Sequence, residues 1–339
     1  MRAVVNPAFE PAAVVPPTDE AAGFHRSLPG YAPTPVRSLD AAAGELGLAA
    51  VLVKDESSRL GLPAFKILGA SWAVERALRL EPDTRLLVAA SAGNHGRAVA
   101  HAAAGRGLAC RIYLPGRSLP VRQAAIASEG AEVVVVDGSY EDAVHAAAVA
   151  AGEPGAVLIA DVGVDGPAGW VIDGYQTLFA EAAGQATFDL ILVPVGVGSL
   201  AAAAARHGAA AGVRVVGVEP ATAACLTASL VHGAPVPVPT PGTTMAGLDC
   251  AEVSAAAWPT LHRGIAGMVT IGDDEAAAAM ATLASAGLAI GESGAAPLAG
   301  LVALQTDVRC TELRTSIGLR PATRVLLIAS EGRTASGLM

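Results

Sequence analysis

Lysine occurs only twice in this chain of 339 residues, at Lys54 and Lys66; the other twenty basic residues are arginines. Chemistry that needs a primary amine therefore has two candidates. Lys66 lies in the apolar run Pro63-Ala64-Phe65-Lys66-Ile67-Leu68-Gly69-Ala70. Burial there would disfavour its charged form and leave an amine suited to imine formation or proton abstraction. A lysine at a helix start can equally lay its stem on apolar surface and keep its charge in water. Lys54, beside Asp55 and Glu56, reads as a surface ion pair.

Four further segments carry groups at turn spacing. Ser91-Ala92-Gly93-Asn94-His95-Gly96 follows a β-rich run and opens a helical one. Small residues there let backbone N–H groups approach an anion at the helix N-terminus, while Ser91 adds a hydroxyl and Asn94 an amide. The same residues also make an ordinary strand-to-helix turn. Val195-Gly196-Val197-Gly198-Ser199-Leu200-Ala201 has the same setting and two readings. It can cradle one phosphate on its glycine N–H groups. It also fits the dinucleotide pattern GxGxxA, with Glu219 after the next strand in the place of a ribose-binding acid. Gly291-Glu292-Ser293-Gly294-Ala295 caps a C-terminal helix, and Ala329-Ser330-Glu331-Gly332 follows the last strand, where the hydroxyl can meet a ligand or cap a turn.

The elements that must position these groups follow from apolar periodicity. Continuous apolar runs at Leu86–Ala90, CRIYLP, EVVVVD, AVLIA, DLILVPV, VRVVGVEP and TRVLLIAS alternate with Ala-rich helical stretches. One such stretch is a single helix over AGWVIDGYQTLFAEAAG. Strands apolar on both faces and joined by helices mean parallel sheets, connected by right-handed crossovers. The chain is α/β, with PVPVPTPGTT as a loop and no internal repeat. Its length suggests two domains, or one with a lobe.

Composition narrows the partners. Hydrophobic residues are 53% and charged residues 16%, enough apolar material for a large core and against wholesale disorder. A net charge of −9 without a basic block argues against nucleic acid or an anionic membrane surface. Cys110, Cys225, Cys250 and Cys310 show no CxxC spacing, so no metal framework or disulfide scaffold is expected, and the cytoplasm suits them. Pro and acidic residues interrupt the N-terminus before any signal-peptide core. The longest apolar run, Leu190 to Ala205, is too short to span a membrane and contains Pro194, Gly196 and Gly198.

In this order the segments resemble the fold type II, tryptophan synthase β-like family of pyridoxal-phosphate enzymes, over roughly residues 30 to 335. AFKILGA, GNHGRAVA, IDGYQTL, GVGSLA, MAGLDC and GESGA are most similar to its diaminopropionate ammonia-lyase branch. The resemblance implies two parallel-sheet α/β lobes with pyridoxal 5'-phosphate in the cleft between them. Residues 1–80 and 176–339 would form the large cofactor-binding domain, and 81–175 a small domain carrying the substrate loop. It implies that Lys66 carries the cofactor, with Phe65 beside it. Ser91, Ala92, Gly93, Asn94 and His95 would bind the substrate carboxylate, Asn94 also reaching the cofactor hydroxyl. Gly196, Val197, Gly198, Ser199 and Leu200 would hold the phosphate, and Ser330, or Ala329 one register earlier, would meet the ring nitrogen. Asp161 matches an acid near the leaving group.

One departure bears on the substrate. The branch carries an acid where this chain has Ala92, assigned as the base for D-isomers, so an L-substrate is expected. Cys225 and Cys250 fall where the branch has cysteines, and free thiols are expected. The resulting expectation is α,β-elimination of L-2,3-diaminopropionate, or a close β-substituted L-amino acid, to pyruvate and ammonia by a cytoplasmic homodimer. The alternatives are an L-threonine or L-serine dehydratase, a β-replacement enzyme of the same fold, an inactive cofactor-binding protein and, more remotely, an NAD(P) oxidoreductase.

Overall fold

A computed structural model of the protein describes residues 2–164 and 166–333. Its strands in chain order are β1 (Ala3–Val5), β2 (Val36–Ser38), β3 (Ala50–Asp55), β4 (Leu86–Ala90), β5 (Ala109–Pro115), β6 (Glu132–Val136), β7 (Ala156–Leu158), β8 (Leu190–Pro194), β9 (Arg214–Pro220), β10 (Gly267–Ile271) and β11 (Arg324–Ala329). The helices are α1 (Glu20–Arg26), α2 (Asp40–Leu46), α3 (Lys66–Leu80), α4 (Asn94–Ala104), α5 (Pro120–Ala127), α6 (Tyr140–Ala150), α7 (Pro167–Gly174), α8 (Gln176–Gln185), α9 (Ser199–Ala211), α10 (Cys225–His232), α11 (Trp258–Gly264), α12 (Asp273–Ser285), α13 (Glu292–Thr306) and α14 (Thr311–Ser316). The chain forms two compact units, Met1–Phe65 with Tyr175–Met339, and Lys66–Gly174.

The larger unit is built on a seven-stranded sheet of order β1-β10-β9-β8-β11-β3-β2. Its middle strands are parallel, and only the edge pairs β1/β10 and β2/β3 are antiparallel. Every residue of β8 and β10 is buried, as expected of parallel strands covered on both faces. From β8 the order runs through β9 and β10 on one side, while β11 lies on the other. A reversal of this kind opens a crevice at the carboxyl ends of the two central strands. The loops that leave β8 and β11 there are the Gly196 and Ser330 segments. Helix α13 is apolar around most of its circumference and is buried in this unit's core.

The smaller unit carries a four-stranded, wholly parallel sheet of order β6-β5-β4-β7. Helix α3 belongs to it by packing, lying against α4 and α7. Gly174 permits the close approach of α7, because a Cβ there would sit 2.6 Å from the Leu68 carbonyl oxygen.

Two local expectations are corrected. The stretch Ala168–Gly184 is two helices, not one, because α7 ends at Gly174 and α8 begins at Gln176. Tyr175, at the break, is fully buried with its ring 4.7 Å from that of Phe65. Lys54 is no surface residue either. It is 0% exposed, and its ammonium donates to the Thr34 carbonyl oxygen at 2.6 Å and to Glu181 at 2.7 Å, not to its sequence neighbours. Arg59 joins the same cluster, donating to Glu56 and to both oxygens of Glu181. Two cations and two carboxylates are thereby buried as a neutral set, the condition under which burying charge is tolerable.

Candidate active site

The smaller unit gathers three polar groups. Lys66 is the first residue of α3, and its side chain is 21% exposed. Since Lys54 is committed and sealed, Lys66 is the lysine whose amine a ligand can reach. Its Nζ donates to Asp161 Oδ2 at 2.9 Å. Asp161 follows β7 and is 14% exposed. Burial by itself pushes its carboxyl up, but the facing cationic groups, His95 when charged and the Lys66 ammonium, hold it well below the usual carboxylate range. His95 is 2% exposed, with Nε2 2.9 Å from the Ile159 carbonyl oxygen and Nδ1 3.9 Å from Asp161 Oδ2.

The Ser91 segment joins β4 to α4. Its tight path requires Gly96, where a Cβ would collide with the Ser91 carbonyl oxygen. Ser91, Ala92, Gly93 and Asn94 are all at least partly accessible, whereas the His95 ring turns inward. Asn94 opens α4, so the amides of that first turn lack intrahelical acceptors and present a partial positive charge.

In the larger unit four loops meet. Gly196 follows β8, and a Cβ there would lie 2.7 Å from the Gly247 carbonyl oxygen and 3.1 Å from Cys250 Sγ. Gly198 has φ +96 as the residue preceding α9, a left-handed conformation that only glycine adopts freely. Ser199 and Leu200 form the first turn of α9, and Val197 accepts the Ser254 N–H at 2.8 Å. The Gly247 N–H donates to Ser293 Oγ at 3.2 Å, tying the MAGLDC turn to the GESGA turn. Gly294 packs on the backbone of Glu331, where a Cβ would meet its carbonyl oxygen at 2.8 Å. Ser330, 4% exposed, accepts the Phe65 N–H at 3.2 Å through its carbonyl. The structural parts of Gly247, Ser293 and Gly294 were hidden in sequence, for their signal is a close approach between segments far apart in the chain.

Glu219 does not suit a ribose. It is 0% exposed, and its carboxylate accepts the N–H groups of Leu226 at 2.7 Å and Thr227 at 2.9 Å and the Thr227 hydroxyl at 2.7 Å. It therefore caps α10. Burial pushes its carboxyl up to about 7. Cys225 and Cys250 are free thiols, with burial raising the Cys225 thiol first and the Glu219 charge second.

A phosphorylated aldehyde fits these residues. Glycines at 196 and 198 keep side chains off those two positions of the turn, and the turn leads into the N-terminus of α9, the positive end of its dipole. No second lysine is needed there, which suits a chain whose other lysine is sealed. The chain belongs to the pyridoxal-phosphate dependent enzyme family, whose model matches residues 27–330. It is 33% identical to diaminopropionate ammonia-lyase of Salmonella typhimurium, covering 93% of this chain and 89% of that protein. It is also similar to the Escherichia coli diaminopropionate ammonia-lyase solved with an aminoacrylate–PLP azomethine reaction intermediate, at TM-score 0.89 and 31% identity over 98% of this chain and 94% of that one. The biosynthetic L-threonine dehydratase of Escherichia coli is 30% identical over 79% of this chain and 52% of its own length. The cofactor of the family is pyridoxal phosphate. The family match sets aside the oxidoreductase reading of GVGSLA. Among the described residues, no helix is long and apolar enough to cross a membrane.

Proposed function

We propose that this protein is a carbon–nitrogen lyase that eliminates ammonia from L-2,3-diaminopropionate, or a close β-substituted L-amino acid. The observation that carries the chemistry is the Lys66–Asp161 pair, an amine and a carboxylate at 2.9 Å. In this reading Lys66 would carry the cofactor, with Phe65 beside it and Asn94 at its hydroxyl. The amides of Gly196 to Leu200 would hold its phosphate, and Ser330 would meet the ring nitrogen. When bound, pyridoxal phosphate supplies an aldehyde that captures the substrate amine and a conjugated ring that takes up electron density from Cα.

The protein's own groups do the rest. The Ser91–His95 turn receives the substrate carboxylate on the amides that open α4. Lys66 Nζ takes the Cα proton as general base. At rest Asp161 faces the Lys66 ammonium at 2.9 Å, which favours its ionised form. It serves as a relay that orients the amine and passes a proton to the leaving nitrogen. Hydrolysis of the enamine that leaves completes the balance, with one diaminopropionate and one water giving one pyruvate and two ammonia. Ala92 supplies no second base, so turnover is confined to the L-isomer. The reading extends to a cytoplasmic homodimer, a location that suits four free thiols.

The test is keto-acid release by the purified, cofactor-loaded protein, read as pyruvate from L-2,3-diaminopropionate and from L-serine and as 2-oxobutanoate from L-threonine. Rapid release from the diamine, at least tenfold over serine, is expected. Turnover of hydroxyamino acids alone would move the enzyme to the dehydratases.

A further inference from the structure

Of the three polar groups in the smaller unit, His95 has an unused lone pair. Its Nε2 lies against a carbonyl oxygen, which can only accept, so Nε2 carries the hydrogen of the neutral ring. Nδ1 is then a bare acceptor, and among the described residues it has no hydrogen-bond partner. It faces Asp161 Oδ2 across 3.9 Å, and that oxygen already accepts the Lys66 ammonium. A buried ring nitrogen facing a carboxylate oxygen makes two acceptors that are short of one proton, and an unsatisfied buried nitrogen calls for a reason.

We propose that His95 Nδ1 and Asp161 share one proton whenever the Lys66 amine is withdrawn from Asp161, and that this proton goes to the departing β-amine. The proposal rests on the reading above, in which Lys66 engages the cofactor. While Lys66 donates to Asp161, the ring is disfavoured as a cation, first by burial, against the pull of the Asp161 carboxylate, and further by the neighbouring ammonium. Once the ammonium is gone, an imidazolium on Asp161 restores a neutral pair. The charged groups that face the ring are Asp161 from the loop after β7 and Lys66 from α3. Other charged groups on α3, α4 and β5 have partners of their own, and Arg76 of α3 lies over the Trp72 and Trp170 rings. Arg97 and His101 on α4 pair with Glu129, Glu75 on α3 pairs with Arg79 and Arg106, and Arg111 on β5 pairs with Glu132 and Glu153. In the elimination the Cα proton goes to Lys66 Nζ. The Cβ–N bond breaks with its electron pair on nitrogen, and the shared proton completes ammonia. The Lys66 proton then refills the Asp161–His95 pair. His95 acts through Asp161 and is a positioning residue.

The test is 15N NMR of full-length protein labelled at its seven histidines, with the His95 signal identified by its loss in His95→Gln. Cofactor-free wild type at pH 7 should show a bare Nδ1. Lys66→Ala should show it protonated, and Lys66→Ala/Asp161→Asn bare again. A bare Nδ1 in Lys66→Ala overturns the proposal. Should that variant not fold, Lys66→Met, which keeps the length of the side chain and removes its charge, gives the same readout, a protonated Nδ1 being expected. Mass spectrometry of wild type loaded with pyridoxal phosphate and reduced with borohydride locates the cofactor and separates the two readings. Cofactor on Lys66 with a bare Nδ1 overturns the shared proton alone, whereas cofactor elsewhere overturns the role of Lys66. In His95→Gln, kcat for the diamine should fall about 100-fold with KM nearly unchanged. A rise in KM at unchanged kcat overturns the proposal.

Discussion

Glu181→Gln removes one of the two carboxylates from the buried cluster around Lys54 and Arg59. Glu181 is the hub of that cluster, with 6% of its side chain exposed. Oε2 accepts Lys54 Nζ at 2.7 Å, Arg59 Nη2 at 2.7 Å and the Thr34 N–H at 3.2 Å. Oε1 accepts Arg59 Nη1 at 2.8 Å and the Tyr31 hydroxyl at 2.7 Å. At an effective dielectric of about 20, unit charges 2.7 Å apart attract by about 6 kcal/mol. Much of that offsets the burial of the charges, and breaking such a pair from one side costs about 3–5 kcal/mol. The glutamine keeps the volume and one accepting oxygen, so about 3 kcal/mol is expected. That corresponds to a melting temperature lower by about 6–12 °C for a unit of this size. Urea denaturation followed by circular dichroism measures it. Most of the loss is the penalty of an orphaned cation, so Glu181→Gln/Lys54→Met should recover about half. The sign with pH follows. Although burial pushes the Glu181 carboxyl up, Arg59 and Lys54 hold it below its ordinary 4.5. Its contribution is thus complete above pH 4.5 and is lost as pH falls towards the lowered value. The variant should lack that part of the acid limb. A loss under about 1 kcal/mol, or an unchanged acid limb, would refute the account of the cluster.

Gly196→Ala should weaken cofactor binding by about tenfold or more, since its methyl group would lie 2.7 Å from the Gly247 carbonyl oxygen, at about 1–3 kcal/mol of strain; fluorescence titration with pyridoxal phosphate measures it. Asp161→Asn should lower kcat for the diamine by about 10²–10⁴-fold while the protein still binds cofactor, and steady-state pyruvate release reads the difference. Glu219 has its carboxyl raised by burial to about 7 in the folded chain. Its contribution is therefore full below its unfolded value of about 4.5 and is lost as pH rises through about 7, by at most about 3 kcal/mol. The Glu219→Gln stability profile should be flatter across that window, and equal slopes would remove Glu219 as the cause.

The alternation of apolar strands and Ala-rich helices was legible because its periods are local, and so were the strand-to-helix settings of Ser91–Gly96 and Val195–Ala201. The order of the motifs along the chain carried the family and its cofactor, since each motif is a short run of small or reactive residues. Lys66 stood out by scarcity alone. The fates of Lys54, Glu219 and His95 depended on neighbours far away in sequence. Lys54 has two acids beside it in the chain, yet its partners are Thr34 and Glu181. Glu219 sits where a ribose acid would, yet the fold turns it onto the N–H groups of α10. His95 is one residue past Asn94 in an accessible turn, yet the helix twist points its ring inward to Ile159 and Asp161. Residue type and spacing thus determined which chemistry the chain holds. Only tertiary packing decided which charges are paired, which are sealed from water and which lone pair is left over, because burial and partner distance set the electrostatics of each group.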